Sequence, residues 1–523
     1  MFDGSLPEIG DLAALDDAAL VDAAGGWART ENAACARKLA LMAELFARRT
    51  GLAAGEREDW WVDPEAAVGA ELGAAQGIST WMALAQAHRG VVLADRLPKV
   101  AALFEAGLIS EPLVRAIEYR TALVTDPEAI AAVDGLLADH ITAWGPLSAN
   151  KTGQAIDAIV DQVDPAALRR SREASSTRDV EFGSPSDEPG FTSLWARLYA
   201  PDAAVLKQRV EEMAKGVCDD DPRTLGERRT DALTAMAAGI HELACECGNA
   251  DCPAAQRAAT SPSNAVVHVV AHADTVEAAR AERAAPVPAP AAEPDVDDAP
   301  AAEPASVAPA SVAPAPHPAF CPAPPAFVIG GGVLPTPLLA ATLERATVRE
   351  VHHPGQAPPE PRYTPSRSLA DFVRCRDLTC RFPGCDKPAD VCDLDHTVPY
   401  PIGCTHASNL KCLCRFHHLL KTFWCGRGGW RDRQQADGTV IWTSPTGHTY
   451  TTKPGSALLF PTLCLPTRDL WPPEHDPVVE PDGRAVMMPR RRRTRAENLA
   501  RRIEAERRLN DDLVAERNRP PPF

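Results

Sequence analysis

The sequence predicts a mainly α-helical N-terminal domain with a small β element, then a small α+β module, and last a basic C-terminal helix. Three observations predict it: alanine- and leucine-rich stretches with apolar residues at helical spacing, a proline-rich break, and a dense run of cysteine and histidine beyond that break. A chain of 523 residues allows about three domains of ordinary size. No run of about 18 uncharged apolar residues occurs, so a membrane partner is not expected. The opening Met1-Phe2-Asp3-Gly4 is acidic where a secretory signal is basic, and a cytoplasmic location is expected.

The helical domain is expected over 9–285. In Arg37–Phe46 the apolar residues 39, 42, 43, 45 and 46 fall on one helical face, and similar patterns recur around Val92–Ala106, Pro112–Leu123, Ala129–Trp144, Ala155–Val163, Asp202–Gly216 and Asp231–Leu243. Asp126-Pro127-Glu128 reads as a helix start: a cap, a proline in the first turn and an early acid. Ala265–Val270, short and β-branched, is the clearest strand of this half.

Residues 286–326 hold 13 prolines and repeat Ala-Ser-Val-Ala-Pro at 305–309 and 310–314. Such a composition cannot bury a core, so this segment is expected to be a disordered linker or insertion. The insertion reading is preferred, with 327–350 returning to the helical domain, because the amphipathic stretch Pro335–Ala346 needs something to pack against. At the far end, 484–523 is an arginine-rich helical tail with four successive arginines, Arg490 to Arg493. A solvated charged helix and a nucleic-acid-contacting tail compete there on equal terms.

Charge divides the chain. Residues 361–455 carry 13 Lys/Arg against 8 Asp, a net of +5, whereas 1–360 carry −24. The basic part favours phosphate backbones as partners, and the acidic part repels them. The helical domain is therefore expected to bind another protein or to self-associate.

Of 15 cysteines, eight fall between Cys375 and Cys425, interleaved with four histidines. In a long chain without an export signal this reads as metal binding rather than a disulfide framework. Cys380 and Cys385 are spaced C-x4-C about a Pro-Gly turn, and Cys414 and His417 are spaced C-x2-H. Two such pairs would close a four-ligand structural zinc site, with Cys392 or Cys412 as substitutes for one ligand. Cys375, Cys404, Cys425 and Cys464 read as packing residues, and His406 as a surface residue. A second group, Cys245, Cys247 and Cys252, has spacing C-x-C-x4-C but no fourth ligand nearby; Cys218 or His241 could supply one. A reduced turn without metal is the preferred reading there.

Between the zinc pairs lie Asp395-His396 at the end of a short strand, Asn409 before a second segment (410–413), and His418 in the first turn of a helix over Arg415–Phe423. A neutral histidine can take a proton near pH 7, and a carboxylate with an imidazole can hold one divalent ion. These are the parts that phosphodiester hydrolysis requires.

Asp395-His396, Asn409 and His418 resemble the HNH nuclease motif in its zinc-bound ββα-metal form. The wider resemblance is to actinobacterial HNH endonuclease-like proteins with an N-terminal helical domain of unknown function, the mycobacterial thirteen-E-twelve repeat family. It rests on Cys380 to Trp430, on Trp442–Gly447 with Thr449-Tyr450, on the arginines near Arg490, and on Asp221-Pro222-Arg223 with Arg228–Leu233. The resemblance implies an HNH module over 361–456 that cuts DNA. His396 would be the general base, and Asp395 and His418 the holders of a catalytic Mg²⁺ or other divalent ion. Asn409 would pin the loop between the strands. His417 stands where many relatives have cysteine. Lys411, Arg415 and Lys421 flank the site as candidates for nucleic-acid contact. The rival expectation is a non-catalytic zinc-binding module that recognises nucleic acid or protein.

Overall fold

The computed structural model describes residues 6–51, 57–145, 147–168, 179–184, 187–257, 266–284, 325–343, 346–424, 429–470 and 488–519. It is helix-rich with small antiparallel sheets. The chain opens with helices α1 (Asp17–Thr50), α2 (Pro64–Gln76), α3 (Thr80–Asp95), α4 (Pro98–Glu105), α5 (Glu111–Thr121), α6 (Pro127–His140) and α7 (Ala149–Val163). Side-chain caps start many of them: Asp16, Asp63, Ser79, Asp126 and Ser148 each accept a backbone N–H of the first turn. Asp126-Pro127-Glu128 starts α6 as its residues imply. The apolar stretch Val92–Ala106 is two helices rather than one, because Pro98 begins α4 after a break at Leu97. Leu39, Phe104, Ile117, Leu137 and Ile156 meet in the core of this bundle.

A small hairpin, β1 (Val180–Phe182) with β2 (Leu194–Ala196), precedes helices α8 (Ala200–Lys215) and α9 (Leu225–Ala237). The strand expected at Ala265–Val270 is only β3 (Val269–Val270). It pairs antiparallel with β4 (Ala326–Val328), which in turn pairs with β5 (Gly332–Leu334). Helices α10 (Ala273–Ala284) and α11 (Thr336–Leu343) flank this sheet, so the two sides of the proline-rich stretch meet in one unit. The stretch itself lies outside the described residues up to position 324, as does Cys425.

Next come α12 (Arg367–Asp377), β6 (Asp393–His396), β7 (Leu410–Leu413) and α13 (Arg415–Phe423). Strands β6 and β7 are antiparallel, with Asp395 opposite Lys411 and His396 opposite Leu410. A meander of β8 (Arg431–Gln434), β9 (Val440–Thr443) and β10 (Thr449–Thr452) follows, then the short α14 (Ser456–Leu459). The buried Arg376 ties helix to hairpin: its guanidinium donates to Ala407 O and Leu410 O, both at 2.8 Å, while Asp377 accepts from Cys412 N. Contacts run past 361–456 on both sides: His353 bonds Leu465 O, and Ser408 bonds Thr467.

The hairpin module and the helical domain share a core. Trp60, Val62, Ala66 and Ala70 share one buried core with Phe372, Phe382, Leu410 and Trp442. Trp424 donates its indole N–H to Val62 O at 2.9 Å, and Glu71 accepts from Thr446 N at 3.0 Å.

The C-terminal helix α15 (Arg495–Arg517) has the largely exposed, charged surface of a solvated helix, with Arg508 paired to Glu504 one turn away, but one side of it docks on the helical domain. On that side Arg507 pairs with Asp164 at 2.8 Å and Arg517 with Asp161 at 2.9 Å, both acids of the helical domain. Asn510 donates to Ala166 O and Leu168 O. The arginine run before it also turns inward, with Arg490 on Asp59 and Arg491 and Arg495 on the buried Asp63. The signal was in the charges, since an acidic domain and an arginine-rich tail on one chain attract each other.

Asp63 both caps α2 and receives two arginines. Asp63→Ala should lower stability by about 1–3 kcal/mol. A lower urea midpoint and faster proteolysis within 488–519 would show it; unchanged values for both would contradict the anchoring role.

Candidate metal centres and catalytic cleft

The ligand atoms of Cys380, Cys385, Cys414 and His417 all lie within 4.8 Å of one another. Cys414 Sγ and Cys380 Sγ stand 3.3 and 3.6 Å from His417 Nδ1. A tetrahedral zinc with bonds of about 2.0–2.3 Å has ligand–ligand edges of roughly 3.3–3.8 Å, so the donors present suit such an ion. Local structure explains the convergence. Cys414 is the cap of α13, which puts His417 in the first helical turn beside it. Cys380 and Cys385 flank a tight turn in which Gly384 has φ +72°, and a Cβ there would fall 2.4 Å from Ile78 O. Only glycine lets this knuckle seat against the helical domain. Cys392 and Cys412 do not join the group. Cys392 instead donates to Pro388 O.

His417 is held on its other side too. Its Nε2 lies 3.2 Å from the hydroxyl of buried Thr80, the first residue of α3, and Phe382 stacks on the ring at 3.9 Å. A nitrogen that binds metal leaves its partner protonated, so with an ion on Nδ1 the Thr80 hydroxyl would accept the Nε2–H. Sequence reasoning missed Thr80, which lies 337 positions away.

The second group gathers four thiols. Cys218, Cys245, Cys247 and Cys252 also lie within 4.8 Å of one another, and His241 is not among them. Of the two fourth ligands the sequence offered, the chain's path past α9 brings Cys218 to the group, which the preference for a metal-free turn did not anticipate.

The cleft residues sit on the hairpin and α13. His418 Nε2 lies 3.5 Å from Asp395 Oδ1, and Asp393 Oδ2 holds His418 Nδ1 at 2.8 Å. Asp393 and Asp395 share a strand face by the two-residue alternation, a signal that could have marked Asp393 as a partner of His418. The other oxygen of Asp395 is engaged by ammonium groups, Lys411 Nζ at 2.7 Å and Lys421 Nζ at 2.6 Å. Both lysines also pair with Asp432. Of the three expected nucleic-acid contacts, only Arg415 is exposed; Lys411 is fully buried and Lys421 nearly so. Their charges are spent inside, on the carboxylates.

Burial alone would raise the Asp395 carboxyl, but Lys411, Lys421 and His418 hold it well below the usual carboxylate range. Burial would lower Lys411, yet Asp395 and Asp432 push it above the ordinary lysine value; for Lys421 burial prevails and the value falls. Burial also lowers His396, against the pull of Asp395, which keeps the ring neutral near pH 7.

His396 Nε2 lies 2.9 Å from Thr405 Oγ1, and that hydroxyl donates to Tyr363 O at 3.3 Å. With its single proton given to the carbonyl, Thr405 accepts from His396, so Nε2 carries the proton and Nδ1 keeps a free lone pair. Tyr363 stacks on the ring at 5.3 Å. Asn409 is buried: its Oδ1 accepts from Val398 N at 2.8 Å, and its Nδ2 donates to Val398 O at 3.0 Å and Cys404 O at 2.9 Å. One amide thus closes the loop between β6 and β7. His406, expected at the surface, is buried and bonds Ala357 O.

The comparisons give the lineage. Residues 27–294 match the family described as "Domain of unknown function (DUF222)". In Mycobacterium tuberculosis, "Uncharacterized protein Rv2100" and "Uncharacterized protein MT2160" are each 50% identical over 531 aligned residues, covering all of this chain and 93% of theirs. "Uncharacterized protein Rv3776" is 49% identical over 523 residues, covering 95% of its length. No solved structure matches. The chain belongs to the DUF222 family. Among the described residues, no helix is long and apolar enough to cross a membrane.

Thr80→Val keeps the shape of the side chain but removes the partner of the His417 ring. Loss of metal to a chelator should become about ten-fold faster or more. Chelator competition on the full chain checks this, and an unchanged release rate would remove Thr80 from the centre.

Proposed function

We propose that this protein is a metal-dependent HNH endonuclease that hydrolyses DNA phosphodiester bonds in the cytoplasm, with a zinc-stapled hairpin and helix as its catalytic scaffold. The observation that carries the reading is the 3.5 Å separation of Asp395 Oδ1 and His418 Nε2, next to a neutral His396 with one nitrogen held and the other free. An octahedral Mg²⁺ with bonds near 2.1 Å spans donors about 3.0 Å apart, so a closure of roughly half an ångström lets both residues share the ion. The ion would polarise the phosphate and stabilise the departing oxygen.

The chain's own groups do the rest. His396 Nδ1 takes a proton from the attacking water, and Thr405 fixes the tautomer that permits it. Asn409 holds the loop from Val398 to Cys404 and so sets the direction of His396. Asp393 turns His418 so that Nε2 faces Asp395. Arg415 is the exposed cation best placed to meet a phosphate beside the site. Reduced thiols in two clusters suit a cytoplasmic setting.

One observation favours the rival, a non-catalytic zinc-binding module. Two ammonium groups on Asp395 Oδ2 weaken the pull of that carboxylate on a second cation.

Full-length protein incubated with supercoiled plasmid and Mg²⁺ or Mn²⁺ should nick it, and EDTA should stop the reaction. His396→Ala should lower the rate by about 10²–10⁴-fold with zinc content unchanged. Asp393→Asn should slow cleavage and raise the Mg²⁺ concentration needed. Equal nicking by parent and His396→Ala, or none by either, would favour the rival reading.

A further inference from the structure

We infer that Cys218, Cys245, Cys247 and Cys252 hold a second zinc ion, an all-sulfur structural staple inside the DUF222 domain that is independent of the proposed nuclease chemistry. Four sulfurs within 4.8 Å of one another are close enough to share one tetrahedral ion, whose Zn–S bonds of about 2.3 Å put its ligands roughly 3.8 Å apart. Cys218 Sγ and Cys245 Sγ are 3.3 Å apart, far longer than the roughly 2.05 Å of a disulfide, and all four cysteines are free. Four thiolates in a closed set select a soft ion of tetrahedral habit and leave no position open for substrate, which assigns the ion a structural role.

The loops that carry the sulfurs are held in place by an outer layer of bonds. The carboxylate of Asp221, fully buried, accepts from Glu246 N at 3.0 Å, between Cys245 and Cys247. Arg223 grips that carboxylate at 2.7 Å and also donates to Ala244 O at 2.7 Å, one residue before Cys245. Backbone bonds complete the knuckle, with Cys245 N on Ala254 O, Cys252 N on Asn249 O, and Gly248 at φ +70°. Bracing of ligand-bearing loops by such partners is the usual surrounding of a metal site.

Packing supplies the second argument. The buried cluster here consists of Cys245, Cys252 and Ala254, with Val217, Cys218, Cys247 and Ala255 against it. Among the described residues no large aliphatic or aromatic side chain belongs to it. So small an apolar core holds the loops after α8 and α9 together poorly unless something cross-links them. The metal is that cross-link, joining one thiol that follows α8 to three that follow α9.

The test is metal analysis of the full-length protein purified under reducing conditions. Two zinc ions per chain are expected, one for each cluster. X-ray absorption should count seven sulfurs and one nitrogen in total for the two ions, from one all-thiol site and one site with His417. Cys247→Ser should lower the content to one zinc with three sulfurs and one nitrogen, and Cys414→Ser should leave one zinc bound by sulfur alone. A single all-sulfur zinc in the parent would support this site even if the His417 centre were empty. A single zinc with three sulfurs and one nitrogen, unchanged in Cys247→Ser, would overturn the inference, as would a disulfide among the four cysteines. If Cys247→Ser does not fold, the parent's stoichiometry and sulfur-to-nitrogen ratio still decide.

Discussion

The imidazole of His417 is the joint on which the molecule turns. One nitrogen faces the thiols of Cys380 and Cys414, and the other meets the hydroxyl of Thr80 at the start of a helix more than three hundred residues earlier. The Cys380–His417 cluster, which could hold a metal ion, is therefore built by the hairpin module but oriented by the helical domain. Gly384 fits under Ile78 O only without a side chain, and Trp60 and Val62 lie in the same core as Phe382 and Trp442. A change at this seam reaches the cleft through α13, because that helix carries His417 for the metal centre and His418 for the cleft on adjacent positions. Neither can shift without moving the other.

Charge works in the same direction. Chain-wide sums set an acidic first part against a basic second part. In the folded molecule much of that imbalance is consumed internally. Arg491, Arg495, Arg507 and Arg517 lie on aspartates of the helical domain, and Lys411 and Lys421 on Asp395 and Asp432. A basic residue counted from sequence is thus not yet a residue available to a phosphate. Arg415 remains outward, while Lys411 contributes by fixing which oxygen of Asp395 faces His418.

Local pattern made part of this legible. The cap Asp126, the spacing of Cys380 with Cys385 and of Cys414 with His417, and the order Asp395-His396, Asn409, His418 are short-range features, and folding brings those groups together as their spacing implies. What sequence could not yield depends on tertiary path. Thr80, Tyr363 and Thr405 are ordinary residues until the chain brings them against an imidazole. Sequence offered Cys218 and His241 alike as a fourth ligand, and only the folded path selects Cys218. The inward turn of α15 required pairing two distant stretches by charge, and helix periodicity carries no such information. The break at Leu97 was legible and overlooked, since Pro98 marks it outright.

The pairing of Val269 and Val270 with Val328 and Phe327 has a consequence for how this lineage changes over time. About 55 residues of sequence separate two neighbouring strands, those of α10 among them, so the pairing closes a long excursion along the chain. Closing a longer excursion costs only about 0.6 kcal/mol for each doubling of its length. Slippage in repeats such as the two Ala-Ser-Val-Ala-Pro units can therefore lengthen or shorten the excursion while the register of β3 and β4 stays as it is. Selection on the helices, the thiols and the cleft leaves that drift almost untouched.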